Sequence, residues 1–374
     1  MGETAVAASA LLVLLVAVRT TLARRALGAP SAAAGPQDLR DVTVLVAVRS
    51  GDPLLADVLA ASVATLAPAR VLLLVDEDDP AGAGAARDAA APHGHVDVVT
   101  CAPPPAGSNP KVHKLAAAEV TTGTVVVLDD DTTLPPGGLL RLVAPLSDAD
   151  LATGVPVYRE QGGLWSRLVA AFVNGSALVT YLPLAQVGPP VSINGMVVAV
   201  RRDALRSVGG FAALTGATCD DYALARLFRV HGLRLVQTAQ PAVVATTIPS
   251  ATVYARILRR WLLFAGEVVR RDLSPRLVLL VLLPSVLPAA VAVLAVAARD
   301  GRALLCAGTA LLASAVSTWV LRRRAGWHAT GVLGVLLEPV AAVLAPLQAA
   351  AAQVGPRTVT WRGRRVAVGI GAVP

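Results

Sequence analysis

The sequence predicts an α/β domain set between membrane-embedded helices. Three observations carry that expectation. Of the 374 residues, 55% are hydrophobic and 16% charged, where a soluble domain usually carries about a quarter charged residues. The mean hydropathy is +0.63, and the apolar excess is gathered toward the two ends. Between them, about 40 to 270, lie most of the Asp and Glu, with short β-branched runs alternating with helical spacing.

At the start, Ala5 to Val18 is apolar apart from Ser9. A span needs roughly 17–25 residues. Extension through Leu22, with Arg19 snorkelling, makes the run adequate. Its positive charges, Arg24 and Arg25, follow the run. That favours an anchor over a cleaved signal peptide. It also puts the N-terminus outside and the next domain in the cytoplasm. Residues 29–40, rich in Ala, Pro and Gly, read as a linker.

Val42 to Val48 and Val71 to Val75 are continuous apolar runs, as doubly buried parallel strands are. Leu54 to Leu66 between them has helical spacing. Val125 to Leu128 is another such run and ends in acids. The β-α-β order predicts a doubly wound domain over 41–272, with ligands outside the carboxyl ends of its strands.

After it, Leu277 to Ala298 and Ala303 to Leu321 are both long enough to span. Membrane helices tolerate prolines such as Pro284 and Pro288. Arg322 to Arg324 place the following loop inside. Ala329 to Val354 is interrupted by Glu338, Pro339, Pro346 and Gln348. If it spanned, the basic stretch Trp361 to Arg365 would face outside, against the charge rule, so a non-spanning segment is expected. The expected organisation is an anchor (1–28), a linker (29–40), the α/β domain (41–272), a membrane region of two or three helices (273–354) and a basic tail (355–374).

The net charge is +8 and the pI about 10.2. The Arg clusters lie beside apolar runs, and no basic pattern interleaved with aromatics is visible. Anionic lipid is therefore the expected partner of this charge, and nucleic acid is not. Cys101, Cys219 and Cys306 have neither metal-like nor disulfide-like spacing, and read as small buried hydrophobes.

The chemistry is expected among four acidic features. Gly51-Asp52-Pro53, Asp76 to Asp79 with Pro80, and Asp129-Asp130-Asp131 each follow a strand; Asp220-Asp221-Tyr222 precedes a helical run. Three adjacent carboxylates repel one another. A hard divalent cation, held by one or two of them and by substrate phosphates, relieves that repulsion. An Asp-x-Asp at a strand end therefore reads as a nucleotide-diphosphate site. Asp221 suits a general base or a helix cap. Arg256 and Arg260 share a helix face and, with Trp261, suit a diphosphate or an interfacial belt.

In order, these segments resemble the ceramide glucosyltransferase family, inverting lipid glycosyltransferases of the GT-A type. The resemblance rests on Gly51-Asp52-Pro53, Asp76 to Pro80, Gly107-Ser108-Asn109-Pro110-Lys111, Asp129 to Asp131 and Gly154-Val155-Pro156. It continues through Asn194-Gly195-Met196, Arg202 to Leu205, Gly209-Gly210 and Asp220-Asp221-Tyr222, then Glu338-Pro339 and Thr360-Trp361-Arg362. In the family's Arg-Trp helix motif, Ile257 takes the first place here and Arg256 lies one residue earlier.

The resemblance implies a GT-A nucleotide-sugar domain, a UDP-sugar donor (a hexose, glucose first) and Mn²⁺ or Mg²⁺. It implies that Asp76, Asp129, Asn109 and Lys111 meet the donor, that Asp131 with Asp129 holds the metal, and that Asp221 is the base. Asp220, Arg256, Arg260 and Trp261 complete the catalytic set. The expected acceptor is a membrane lipid hydroxyl, met by a multi-pass cell-membrane protein with a cytoplasmic catalytic domain. The alternatives are a polyprenyl-phosphate sugar synthase and a non-catalytic scaffold or transporter with a degenerate fold.

Overall fold

A computed structural model describes residues 1–29, 38–327, 331–361 and 364–373. Most of the expected linker lies outside the described residues, as does Arg362 of the Thr360-Trp361-Arg362 segment. The elements in chain order are α1 (Gly2–Gly28), β1 (Val42–Ala47), α2 (Leu55–Val63), β2 (Arg70–Asp76), α3 (Pro80–Ala90), β3 (Val96–Cys101), α4 (Pro110–Ala117), β4 (Thr124–Leu128) and β5 (Thr132–Thr133). Next come α5 (Gly138–Val143), β6 (Leu151–Tyr158), α6 (Leu164–Asn174), α7 (Leu178–Gln186), β7 (Val197–Arg201), α8 (Arg202–Ser207), α9 (Asp220–Val230) and β8 (Leu235–Val244). The chain continues with α10 (Ala251–Asp272), α11 (Pro275–Leu277), a π turn (Val278–Leu282), α12 (Leu283–Ala298), α13 (Gly301–Arg324), α14 (Val332–Gln353), β9 (Thr358–Trp361) and β10 (Arg364–Ala367).

These elements form two compact units. An α/β unit holds 30–156, 189–247 and 358–374; a helical unit holds 1–29, 157–188 and 248–357. The expected block 41–272 is therefore divided. Its residues 157–188 and 248–272 pack with the apolar helices. Of the tail expected over 355–374, the described residues from 358 on belong to the α/β unit.

The α/β unit is built on an eight-stranded sheet, ordered β3-β2-β1-β4-β7-β6-β8-β5. β3, β2, β1 and β4 are parallel, whereas β7 runs antiparallel to β4 and β6. Every residue of β1 is buried, which is why its sequence shows no alternation. Val44, Val46, Leu73, Val126 and Leu128 meet in one core, each contributing about 1.5–3 kcal/mol by its burial. Because β1, β2 and β4 are parallel, their carboxyl ends emerge at one edge, carrying Arg49, Asp76 and Asp129.

Among the described residues of the helical unit, five helical stretches are long and apolar enough to cross a membrane: Gly2–Gly28, Leu164–Gln186, Pro275–Ala298, Gly301–Arg324 and Val332–Gln353. α1, α12 and α13 pack through small residues such as Ala5, Ala295, Ala303, Ala307 and Ala310. Small side chains allow close backbone approach where no water drives association. Leu14, Val293, Leu305 and Leu347 point outward and are well exposed, an exterior suited to hydrocarbon.

Three expectations bear on this unit. Arg19 donates to the Val179 carbonyl and to Thr180 Oγ1 of α7, at 2.8 and 2.9 Å, so its charge is bound inside the unit. Leu164–Gln186, inside the block 41–272 expected as the α/β domain, is long and apolar enough to span. The segment expected not to span is one helix of 22 residues, continuous through Pro339 and Pro346. Its Glu338 is buried, accepting from Arg322 and from Thr318 Oγ1. The charge that looked like an interruption is thus neutralised by a neighbouring helix.

Candidate active site

The site is assembled at the carboxyl edge of the parallel strands. After β1, Arg49 turns into the acidic edge. Its backbone N–H donates to Asp130 at 2.7 Å, and its guanidinium lies 3.1 Å from Asp76 and 2.9 Å from Asp78. Ser50 donates through N and Oγ to Asp79. Asp79 also caps α3 by accepting from the Gly82 N–H. These hydrogen bonds and the Arg49 charge outweigh burial and hold Asp79 below the usual carboxylate range. Two acidic strand ends, those of β2 and β4, are thereby tied to one arginine.

Asp76 is buried, and its Oδ2 also accepts from Lys114 Nζ at 3.0 Å. Lys114 is fully buried and donates to the Val48 carbonyl as well. The other oxygen of Asp76, Oδ1, is buried without a hydrogen-bond partner among the described residues. Such an acceptor is costly to leave unmet, so this atom suits a donor group on a ligand.

Asn109 was expected to meet the donor substrate, and the structure corrects this. Asn109 is 1% exposed. Its Oδ1 accepts from Lys111 and Val112 N–H, capping α4, and its Nδ2 donates to the Ala217 carbonyl at 2.8 Å. Both ends of the amide are occupied inside the fold. It orients Lys111, two residues on, and grips the loop ahead of α9.

Lys111 Nζ reaches Asp129 at 2.5 Å, the Gly195 carbonyl at 3.0 Å and Asp220 at 3.9 Å. Those carboxylates outweigh its desolvation and raise it above the usual lysine range. Asp221, in the first turn of α9, accepts from the Tyr222 N–H at 2.6 Å. Desolvation, then the neighbouring Asp220, push its carboxyl up to about 7. Lys111, Gly195, Asp220 and Asp221 line one pocket, whose floor includes Ile193 and Phe211.

Asp131 is pushed up to about 8 by desolvation and by its neighbours Asp129 and Asp130. A cation beside it would reverse that shift. Among the described residues no group of three His, Cys, Asp or Glu forms a ready metal cluster. The strand end therefore offers carboxylates for a partly filled shell, with phosphate and water to complete it. That donor set fits Mg²⁺ or Mn²⁺ bound with a diphosphate. Asp129, expected to share the metal, already accepts from Lys111.

Asp76, Asn109, Lys111, Asp129, Asp131, Asp220 and Asp221 all belong to the α/β unit. Arg256, Arg260 and Trp261 lie on α10 in the helical unit, where the Trp261 ring meets Tyr158 edge-on, with centroids 6.0 Å apart. Sequence reasoning missed Arg49 and Lys114. Lys114 carried a signal, three residues beyond Lys111 on the same short helix.

The profile of glycosyl transferase family 21 matches residues 4–373, almost the entire chain. The chain belongs to glycosyl transferase family 21. That family includes the ceramide glucosyltransferases. No curated protein matches the transferase significantly. Among solved structures it is similar to the mannosyltransferase PcManGT from Pyrobaculum calidifontis, in complex with GDP-Man and Mn²⁺. Identity is 18%, the match covers 93% of this chain and 98% of that one, and the TM-score is 0.54. It also matches glucosyl-3-phosphoglycerate synthase from Mycobacterium tuberculosis, in complex with Mg²⁺ and UDP. Identity there is 18%, with 64% and 82% of the chains covered and a TM-score of 0.36. The first likeness gives the transferase a GT-A fold.

Proposed function

We propose that this glycosyltransferase moves a hexose, glucose first, from a UDP-sugar to the hydroxyl of a membrane lipid, with inversion at the anomeric carbon. The observation that carries the reading is Asp221, a carboxylate held near neutrality beside the Lys111–Asp129 pair at the strand ends. A base with a pKa near the working pH removes a proton most effectively. Asp221 takes the proton of the acceptor hydroxyl. The acceptor oxygen then bonds to the anomeric carbon as the bond to the diphosphate oxygen breaks and UDP leaves. Lys111 holds Asp129 and Asp220 in place, and Asp76 offers its unmatched Oδ1 to the nucleotide.

A divalent cation held by Asp131 with Asp129 would supply neutralisation of the departing diphosphate. On α10 of the helical unit, Arg256 and Arg260 offer guanidinium groups, which suit phosphate oxygens. The apolar helices support a lipid acceptor and a multi-pass membrane protein, and the arginine clusters support a cytoplasmic catalytic domain.

The test is incubation of membranes containing the enzyme with a panel of UDP-sugars, followed by mass analysis of lipid products. Asp221→Asn is expected to lower transfer by about 10²–10⁴-fold, while UDP binding with Mn²⁺ persists. Near-normal turnover of that variant would remove Asp221 from the role of base.

A further inference from the structure

The loop Thr215–Cys219 leads into the Asp220-Asp221 turn, and it has few side chains with which to hold itself. Two partners distant in sequence hold it by its backbone. On one side, Asn109 N donates to the Thr215 carbonyl at 2.7 Å and Asn109 Nδ2 to the Ala217 carbonyl. On the other lies the segment following β10. There the Thr218 and Cys219 N–H groups both donate to the Gly369 carbonyl, at 3.0 and 3.1 Å. The Thr218 hydroxyl lies 2.9 Å from the Ala367 carbonyl and 3.1 Å from that of Gly369, and accepts from the Gly369 N–H at 2.9 Å. Ala217 pairs with Ile370 as an antiparallel bridge.

The contact is also sterically tight. Gly371 has φ +64°, and a Cβ built on it would lie 3.0 Å from the Gly216 carbonyl carbon and 3.1 Å from Ala217 N. Thr218 is 4% exposed and Cys219 fully buried, so the loop's side of these bonds is shielded from water. The bonds end one residue before Asp220.

We infer that residues 367–371 form a strap that sets the position of the Asp220-Asp221 turn, with Thr218 as its positioning residue. Thr218 touches no reacting atom. It acts by fixing where α9 begins, and so where the Asp221 carboxylate stands relative to Lys111 and Gly195. The inference rests on the reading of Asp221 as the base. Because misplacement by about an ångström costs on the order of 10²-fold in rate, the strap acts on turnover more than on donor binding.

The full-length enzyme in lipid nanodiscs, as wild type, Thr218→Val, Thr218→Ser and Gly371→Ala, provides the test. Three quantities are read: kcat with KM for the donor, the Kd of UDP with Mn²⁺ by calorimetry, and amide exchange of the peptide covering 215–222. Thr218→Val and Gly371→Ala are expected to lower kcat by about 10- to 100-fold. They should leave the UDP Kd within about threefold and speed exchange at Thr218 and Cys219. Thr218→Ser, which keeps the hydroxyl, should stay within about threefold of wild type in kcat. The inference is overturned by unchanged exchange, by faster exchange with unaltered kcat, by UDP binding lost in step with kcat, or by Thr218→Ser being as impaired as Thr218→Val. The exchange readout does not depend on the chemistry. Turnover by Asp221→Asn therefore discards the base while leaving the strap to be judged separately.

Discussion

Lys111 Nζ lies 2.5 Å from the Asp129 carboxylate, so an ammonium is bound into the acidic strand end. Both side chains are partly buried, with exposures of 12% and 29%. Removing one partner of a buried pair costs about 3–5 kcal/mol, and the partial solvation of Asp129 favours the lower end. Lys111→Met is expected to lower the melting temperature in the absence of divalent cation. Mn²⁺ with UDP should recover more of that loss than it adds to wild type, because new positive charge meets the freed carboxylates. Thermal unfolding with and without Mn²⁺ and UDP checks this; equal gains for the two proteins would show that the ammonium does not balance these carboxylates.

The pH dependence of turnover follows from Asp221. Its carboxyl is raised to about 7 by desolvation first and by Asp220 second. A base works only when deprotonated, so kcat should fall as pH drops through about 7. Asp220→Asn removes the neighbouring negative charge, and the acid limb should move to lower pH even if the maximal rate falls. A pH–rate profile of that variant with an unmoved limb would assign the limb to another group.

Gly195 lies against Asp221. A Cβ there would stand 3.0 Å from the Asp221 Cβ and 3.3 Å from its Oδ2. Gly195→Ala therefore has to displace Asp221. Turnover should fall by about 10²-fold, with stability reduced by no more than about 1–3 kcal/mol, as for other overpacked sites. Parallel measurement of kcat and of chemical denaturation separates the two effects.

Within the helical unit, Glu338 accepts from Arg322 and from Thr318 Oγ1, and Arg322 donates to the Asn174 carbonyl. Glu338→Leu leaves Arg322 buried without its counter-charge, and a loss of about 3–5 kcal/mol is expected. The double variant Arg322→Leu, Glu338→Leu should recover much of it, since apolar replacement of a whole buried pair is often neutral. Unfolding in detergent gives both values.

Much of the active edge was legible because strand burial and acid placement are both local. The runs ending at Asp76 and Asp129 read as parallel strands, and parallel strands put their ends together. Asn109 was misread because a polar residue beside Lys111 looks like a ligand contact until its amide is found inside the fold. Arg49 gave no sign of binding Asp76, Asp78 and Asp130, which come from two other strand ends. The apolar stretch Leu164–Gln186 carries polar residues that the fold satisfies: the Asn174 side chain bonds the backbone of Tyr158, at the end of β6, in both directions.

By itself the sequence determined the α/β class, the apolar helices at both ends and the carboxylates at the strand ends, and its ordered motifs resemble a glycosyltransferase family. The first three follow from periodicity, charge or spacing within a few dozen residues. Only the tertiary structure decided that Thr218 is held by Gly369, that Lys114 neutralises Asp76, and that Arg322 meets Glu338. Those contacts depend on which buried polar group finds which partner once the backbone has closed, and separation along the chain carries no record of that pairing.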